Sequence, residues 1–149
     1  MSLQDAVMTK MKEAMKAKDT VALSSLRAIK SALLLAQTDG SGAALKEADE
    51  IKIVQKLVKQ RQDSAAIYKD QGREDLAQPE LDEAAVLAQF LPEQLSEEEV
   101  KAIVAEIITA TAAQGMKDMG KVMGQASAKL AGKADGKTIS AVVKTLLTT

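Results

Sequence analysis

Residues 130–138 read LAGKADGKT, and the structure of this stretch decides the fold class. Its ending, Gly-Lys-Thr, is that of a phosphate-binding loop, which joins a strand to a helix. Such a loop needs a glycine five positions before Gly136, where this chain has Ala131. A helix end followed by a helix start fits better, because Gly132 can take the left-handed conformation beyond one helix and Asp135 can cap the next. The stretch therefore predicts two helices and no phosphate-binding loop.

The chain on either side of this turn has helical periodicity and predicts a compact three-helix unit. Upstream, Ser96 and Glu99 form a capping-box pattern at a helix start. Pro92 disfavours helical geometry at Leu91 and marks a boundary between two parts of the chain. The predicted helices of the second part run from about Glu97 to Ala113, Asp118 to Leu130 and Asp135 to Leu147.

Four further helices are predicted before the boundary. They run from Leu3 to Ala17, from a cap at Asp19 or Thr20 to the turn residues Asp39, Gly40, Ser41 and Gly42, from between Leu45 and Asp49 to Gly72, and from Pro79, as first helical residue, to before Pro92. Proline suits the first helical position because its missing N–H has no partner there. The predicted fold is all-α, with an N-terminal four-helix domain at 1–91 and a C-terminal three-helix domain at 92–149.

Composition excludes several classes of function. The 149 residues contain no cysteine and no histidine, which rules out thiolate chemistry and removes the commonest general base and transition-metal ligand. Tyr68 and Phe90 are the only aromatic residues, too few for a domain that stacks bases on aromatic platforms. No apolar run approaches the roughly 20 residues of a membrane span. We expect a soluble cytoplasmic protein with no catalytic residue, metal site, cofactor or membrane partner.

Basic residues concentrate towards the two ends of the chain. Basic and acidic side chains number six and three in residues 1–34, seven and fifteen in 35–100, and six and two in 115–149. In the last segment, Lys117, Lys121 and Lys133 flank the ends of the middle helix, and Lys137 lies in the first turn of the last. Their ammonium groups can converge on RNA phosphates, which lysine contacts without reading sequence. A face of solvated lysines is the alternative.

Three other features allow two interpretations each. Gly120 and Gly124 are expected to let a neighbouring helix approach closely, a ligand contact being the alternative. Arg61 interrupts the apolar stripe of the third helix, and we expect its guanidinium to reach water or a carboxylate rather than phosphate. Asp63 and Asp70 can share a helix face and bind magnesium, but such sites usually need more converging oxygens. We expect no metal there.

The run KDMGKVMGQASAKLAGKADGKTISAVVKTLL, residues 117–147, resembles the C-terminal motif of YqeY-like proteins. That motif is shared with the tail of the B subunit of the glutamyl-tRNA(Gln)/aspartyl-tRNA(Asn) amidotransferase. Three upstream segments match the same family in the same order along the chain. They are LSSLRAIKSAL at 23–33, the segment from Gly72 to Leu76, and FLPEQLSEEEV at 90–100. The resemblance covers essentially the whole chain.

The resemblance implies an all-helical, two-part fold whose smaller part is similar to the amidotransferase tail that engages tRNA. It assigns RNA contact to Lys117, Lys121 and Lys133, joined by Lys137 in the next turn. Helix turning and capping are assigned to Gly120, Gly124, Gly132, Asp135 and Gly136. In the amidotransferase a different domain of the B subunit carries out the magnesium- and ATP-dependent amidation, and no part of this sequence matches it.

We therefore expect a tRNA-associated binding module without catalysis of its own, working with a tRNA-dependent amidotransferase or another tRNA enzyme. Two alternatives remain. One is a protein-interaction adaptor, suggested by the cluster Lys59, Gln60, Arg61 and Gln62 at the centre of the third helix. The other is an accessory part of a carbon–nitrogen ligase with glutamine as amido-N-donor.

Overall fold

The computed structural model describes residues 2–39 and 45–148. Within these ranges the chain forms seven α-helices, a short 3-10 helix and no strand, which confirms the all-α prediction. The helices are α1 (Leu3–Ala17), α2 (Thr20–Gln37), α3 (Glu47–Asp70), α4 (Glu74–Ala88), α5 (Glu97–Thr111), the 3-10 helix Met116–Asp118, α6 (Met119–Lys129) and α7 (Gly136–Thr148). None of the described helices is both long and apolar enough to cross a membrane.

The helices divide into two compact units, Met1–Leu91 and Pro92–Thr149, which we call unit 1 and unit 2. Each unit has its own aliphatic core. Helices α1 to α4 supply that of unit 1, and α5 to α7 that of unit 2. The largest fully buried apolar side chains are Leu26, Ile29, Leu33, Leu87, Val7 and Val54 in unit 1, and Leu130, Val100, Val104, Val122 and Val143 in unit 2.

Several helix ends form as the sequence predicts. The Asp19 carboxylate accepts a hydrogen bond from the Ala22 amide at the start of α2. Ser96 and Glu99 form the predicted reciprocal capping box at the start of α5. Gly72, just beyond α3, has the left-handed backbone, with φ of 72°. Residues 40–42 of the turn predicted after α2 lie outside the described residues.

The predicted start of α4 at Pro79 is wrong. The helix begins at Glu74, and Pro79 lies inside it. The missing N–H of Pro79 removes one helical hydrogen bond. Ala77, in the turn before the proline, is nevertheless fully buried, so burial in unit 1 favours the helical form of that turn despite the lost bond.

A polar network links three helices of unit 1. Arg61 on α3 contacts Glu83 on α4, with Nε and Oε2 3.1 Å apart and both side chains 23% exposed. The other oxygen of Glu83 accepts a hydrogen bond from the Ser24 hydroxyl on α2 at 3.2 Å. The expectation that Arg61 meets a carboxylate is confirmed.

Candidate nucleic-acid interface

One face of helix α6 is buried in the core of unit 2, and another face is exposed. Val122 and Ala126 are fully buried in the core of unit 2. Lys117, Gly120, Lys121 and Gly124 are all exposed, and each is three or four residues from two of the others. Residues at these spacings share one side of a helix. We call these four residues the α6 strip, which carries two ammonium groups and two positions without a side chain.

The expectation that Gly120 and Gly124 allow close helix packing is wrong. A β-carbon placed at either glycine would meet no atom within 4 Å. Glycine in a helix costs up to about 1 kcal/mol relative to alanine, and no neighbouring helix accounts for it at these positions. The glycines instead leave the backbone of α6 open to solvent beside Lys117 and Lys121.

The other two predicted lysines lie beyond the opposite end of α6. Lys133 is in the turn between α6 and α7, and Lys137 is in the first turn of α7; both are exposed. Gly132 has the predicted left-handed conformation, with φ of 78°. The Asp135 carboxylate accepts a hydrogen bond from the Thr138 amide at 2.6 Å and so caps α7 as predicted.

The turn that carries Lys133 is pinned by the segment preceding α5. The Gln94 side-chain amide donates to the Gly132 carbonyl at 2.6 Å. The Leu95 amide donates to the Lys133 carbonyl at 2.9 Å. Sequence reasoning missed Gln94 and Leu95 as parts of the site, although both belong to the LPEQL stretch that carries the family resemblance. These bonds hold the Lys133 backbone inward and leave its side chain exposed.

The four lysines therefore form two pairs rather than one cluster. Lys117, in the 3-10 helix, and Lys121, in the first turn of α6, are four residues apart, and Lys133 and Lys137 are four residues apart beyond the other end of α6. Helix α6 has 11 residues, which corresponds to about 16 Å at 1.5 Å per residue. One phosphate cannot bridge that distance, but an extended polyanion can contact both pairs.

None of these four ammonium groups forms an ion pair within the part of the chain that the structure describes. Neighbouring cations of unit 2 do have partners: Lys129 lies 3.8 Å from Glu106, and Lys101 lies 3.6 Å from Glu97. Lys137 also lines a groove of about 300 Å³ between α5 and α7, together with Glu97, Lys101, Thr138, Ala141, Val142 and Thr145. Lys144 on α7 is exposed and has no ion pair among the described residues either, so the predicted lysines are four of the five unpaired cations of unit 2.

The two helix starts near these lysines differ in whether a side chain occupies their backbone amides. Asp135 already takes the Thr138 amide of α7. Asp118 accepts from the Gln114 amide at 2.8 Å, and no side chain caps the start of α6. A phosphate at the start of α7 would meet the Asp135 carboxylate, so at that end of α6 the lysine side chains are the available phosphate ligands.

The cluster predicted at the centre of α3 is largely neutralised. Lys59 pairs with Asp63 at 2.7 Å, and Arg61 pairs with Glu83. Asp63, a proposed magnesium ligand, is thus engaged by a lysine. No group of three or more acidic side chains suited to a metal ion occurs among residues 2–39 and 45–148.

Comparison with known proteins gives partial relatives of two kinds. The glutamyl-tRNA(Gln) amidotransferase E subunit of Thermococcus gammatolerans is 50% identical over 54 residues, which cover 34% of this chain and 9% of the relative. Altered inheritance of mitochondria protein 41, mitochondrial, is 34% identical in Clavispora lusitaniae over 67% of this chain and 59% of that protein. Its Kluyveromyces lactis counterpart is 34% identical over 66% of this chain and 55% of that protein.

The family comparison covers far more of the chain than any of these relatives. The family model described as Yqey-like protein matches residues 4–147. These residues contain every described helix except the first residue of α1 and the last of α7, together with both lysine pairs. The chain belongs to the YqeY-like protein family.

Proposed function

We propose that the chain is a tRNA-associated binding module that holds an RNA backbone along α6 and has no catalysis of its own. The observation that carries the proposal is the pair of unneutralised lysines at each end of α6, about one helix length apart. A polyanion gains from both pairs at once, whereas a small anion contacts one. The bare glycines of the α6 strip let a phosphate backbone approach between them.

The name of one relative supports tRNA as the RNA in question. This relative is named as a subunit of an amidotransferase that acts on glutamyl-tRNA(Gln). We propose that the chain works beside such an amidotransferase, or another tRNA enzyme, in the cytoplasm; two other relatives are named as mitochondrial. An accessory role in a carbon–nitrogen ligase predicts ATP or glutamine turnover with charged tRNA, and our proposal predicts none from this chain alone.

The proposal is tested by reversing charge at one lysine pair. Lys117→Glu with Lys121→Glu should weaken tRNA binding at low salt at least about tenfold, because each lysine lost removes a phosphate contact and its counterion release. The slope of log affinity against log salt should fall by about one per lysine. Fluorescence anisotropy with labelled tRNA measures both quantities.

Lys52→Glu with Lys56→Glu is the matched control, because these residues have the same spacing on α3 and are also exposed. This control should leave the salt slope within about half a unit of the parent value, well below the change of about one per lost phosphate contact. Equal losses in the two double variants would mean that binding follows net charge alone. Unchanged affinity in the Lys117/Lys121 variant would remove the α6 strip from the interface.

A further inference from the structure

A small apolar groove lies on the surface of the hairpin formed by α1 and α2 in unit 1. It has a volume of about 160 Å³ and is lined by Gln4, Val7, Met8, Lys30, Leu33 and Leu34. Small-molecule sites usually occupy about 300–1,000 Å³. The groove is therefore sized for one or two inserted side chains rather than for a cofactor.

The walls of the groove are unusually exposed for large apolar residues. Val7 and Leu33 form a floor that is 1% exposed, whereas Met8 is 40% and Leu34 48% exposed. Met15, two turns along α1 from Met8, is 56% exposed. Methionine side chains adapt to varied apolar partners and are common at helix-binding surfaces. Exposed apolar side chains therefore lie both in the groove wall and further along α1, where Lys12 comes between Met8 and Met15.

One cation lines the groove and two more lie one helical turn from residues that line it; we call these three the rim cations. Lys30 lines it, Arg27 lies one turn before Lys30 on α2, and Lys12 lies one turn after Met8 on α1. All three side chains are exposed, and none forms an ion pair with another described residue.

The two carboxylates of α1 form no ion pair with the rim cations. Glu13 pairs with Lys10 at 3.0 Å. Asp5 accepts a hydrogen bond from the Ser2 hydroxyl at 2.8 Å, and hydrogen bonds from Ser2 hold the pKa of Asp5 below its ordinary value, which keeps it ionised. Asp5 adjoins Gln4, so the positive charge available to an external anionic group lies at the end of the groove that carries Lys30.

We propose that the α1–α2 groove binds an amphipathic helix of a partner protein, with aliphatic side chains at i, i+3 or i+4 and i+7 and with Asp or Glu beside them. Helices bind apolar grooves by inserting one such stripe. Charge complementarity with Lys12, Arg27 and Lys30 selects the acidic flank. RNA fits less well, because a phosphate backbone leaves Met8 and Leu34 without an apolar partner. The groove lies in unit 1 and is independent of the α6 strip.

The test is a selection of binding peptides from a displayed library of random helical 16-residue peptides, with the full chain as bait. Recovered peptides should share an apolar stripe flanked by acidic residues. Leu34→Glu should weaken a recovered peptide at least about tenfold in fluorescence anisotropy, since it places a charge in the groove wall. Lys30→Glu should weaken the same peptide, with a smaller effect at high salt.

Leu35→Glu is the matched control, because Leu35 adjoins Leu34 in sequence, is 73% exposed and does not line the groove. It should leave the peptide affinity within about twofold. All three variants change exposed residues, and circular dichroism should show unchanged helix content. Affinity for tRNA should not change with Leu34→Glu.

Two outcomes would overturn the proposal. Recovery of peptides without acidic flanks would overturn the proposed charge selection, and recovery of peptides insensitive to Leu34→Glu would show that the groove is not their site. Binding of the parent chain to phosphatidylcholine–phosphatidylserine vesicles that is lost with Leu34→Glu, with no peptide recovered, would assign the surface to a membrane instead.

Discussion

Gly132 is the residue on which the geometry of the α6–α7 turn depends. Its backbone is left-handed, it is buried, and its carbonyl receives the Gln94 side chain. Residues with a β-carbon are destabilised by about 1–2 kcal/mol in this conformation. Gly136 differs, since a β-carbon there would meet no atom within 4 Å and it begins α7 in ordinary geometry. Two motif glycines four residues apart therefore have unlike roles.

Gly132→Ala should lower the free energy of unfolding of unit 2 by about 1–2 kcal/mol because of the left-handed backbone. Gly136→Ala should raise it by about 0.5 kcal/mol, since alanine restricts the unfolded chain more than glycine does. Urea denaturation followed by circular dichroism measures both changes. Equal destabilisation by the two substitutions would contradict the distinction drawn between these glycines.

Helix boundaries show what the sequence can and cannot predict at the scale of the element. The start of α5 is predictable because Ser96 and Glu99 act on each other within one turn. The start of α4 is not, because burial of Ala77 against the rest of unit 1 outweighs the local preference of Pro79 for a first turn. The glycines of α6 are misread for a related reason: spacing alone does not show which side of the helix faces a neighbour.

Gly120→Ala and Gly124→Ala should each stabilise the protein, by up to about 1 kcal/mol, because alanine is the better helix former and the added methyl group meets open space. Thermal unfolding of each variant measures the effect. Gly115→Ala provides a contrast, since Gly115 has φ of 124° and its substitution should destabilise the protein. A fall in melting temperature for the α6 variants would show a close contact at the strip.

At the scale of the whole molecule, two aliphatic cores divide the chain, one within each unit. The existence of helices on both sides of Pro92 is predictable from periodicity and caps. The bonds from Gln94 and Leu95 to residues 132 and 133 are not, because they join segments 38 residues apart. For the candidate site, sequence placed each lysine on its element, but only the fold separates the four into two pairs.

Leu26→Ala and Leu130→Ala form a matched test of this division, because both side chains are almost completely buried, one in each core. Each should cost about 2–5 kcal/mol through lost burial and the cavity left behind. Native-state hydrogen exchange should show the loss of protection confined to the unit that carries the substitution. A loss shared by both units would show that they unfold as one.

The length of α6 sets both the distance between the two lysine pairs and their relative rotation about the helix axis. One residue inserted between Gly124 and Lys129 would turn the two lysine pairs by about 100° relative to each other and add about 1.5 Å between them. Every lysine would be retained, yet a rigid ligand tracking along the helix would lose register with one pair. The number of residues in α6 therefore matters as much as their identity. We expect an insertion or deletion there to weaken the binding of such a ligand more than most single substitutions do.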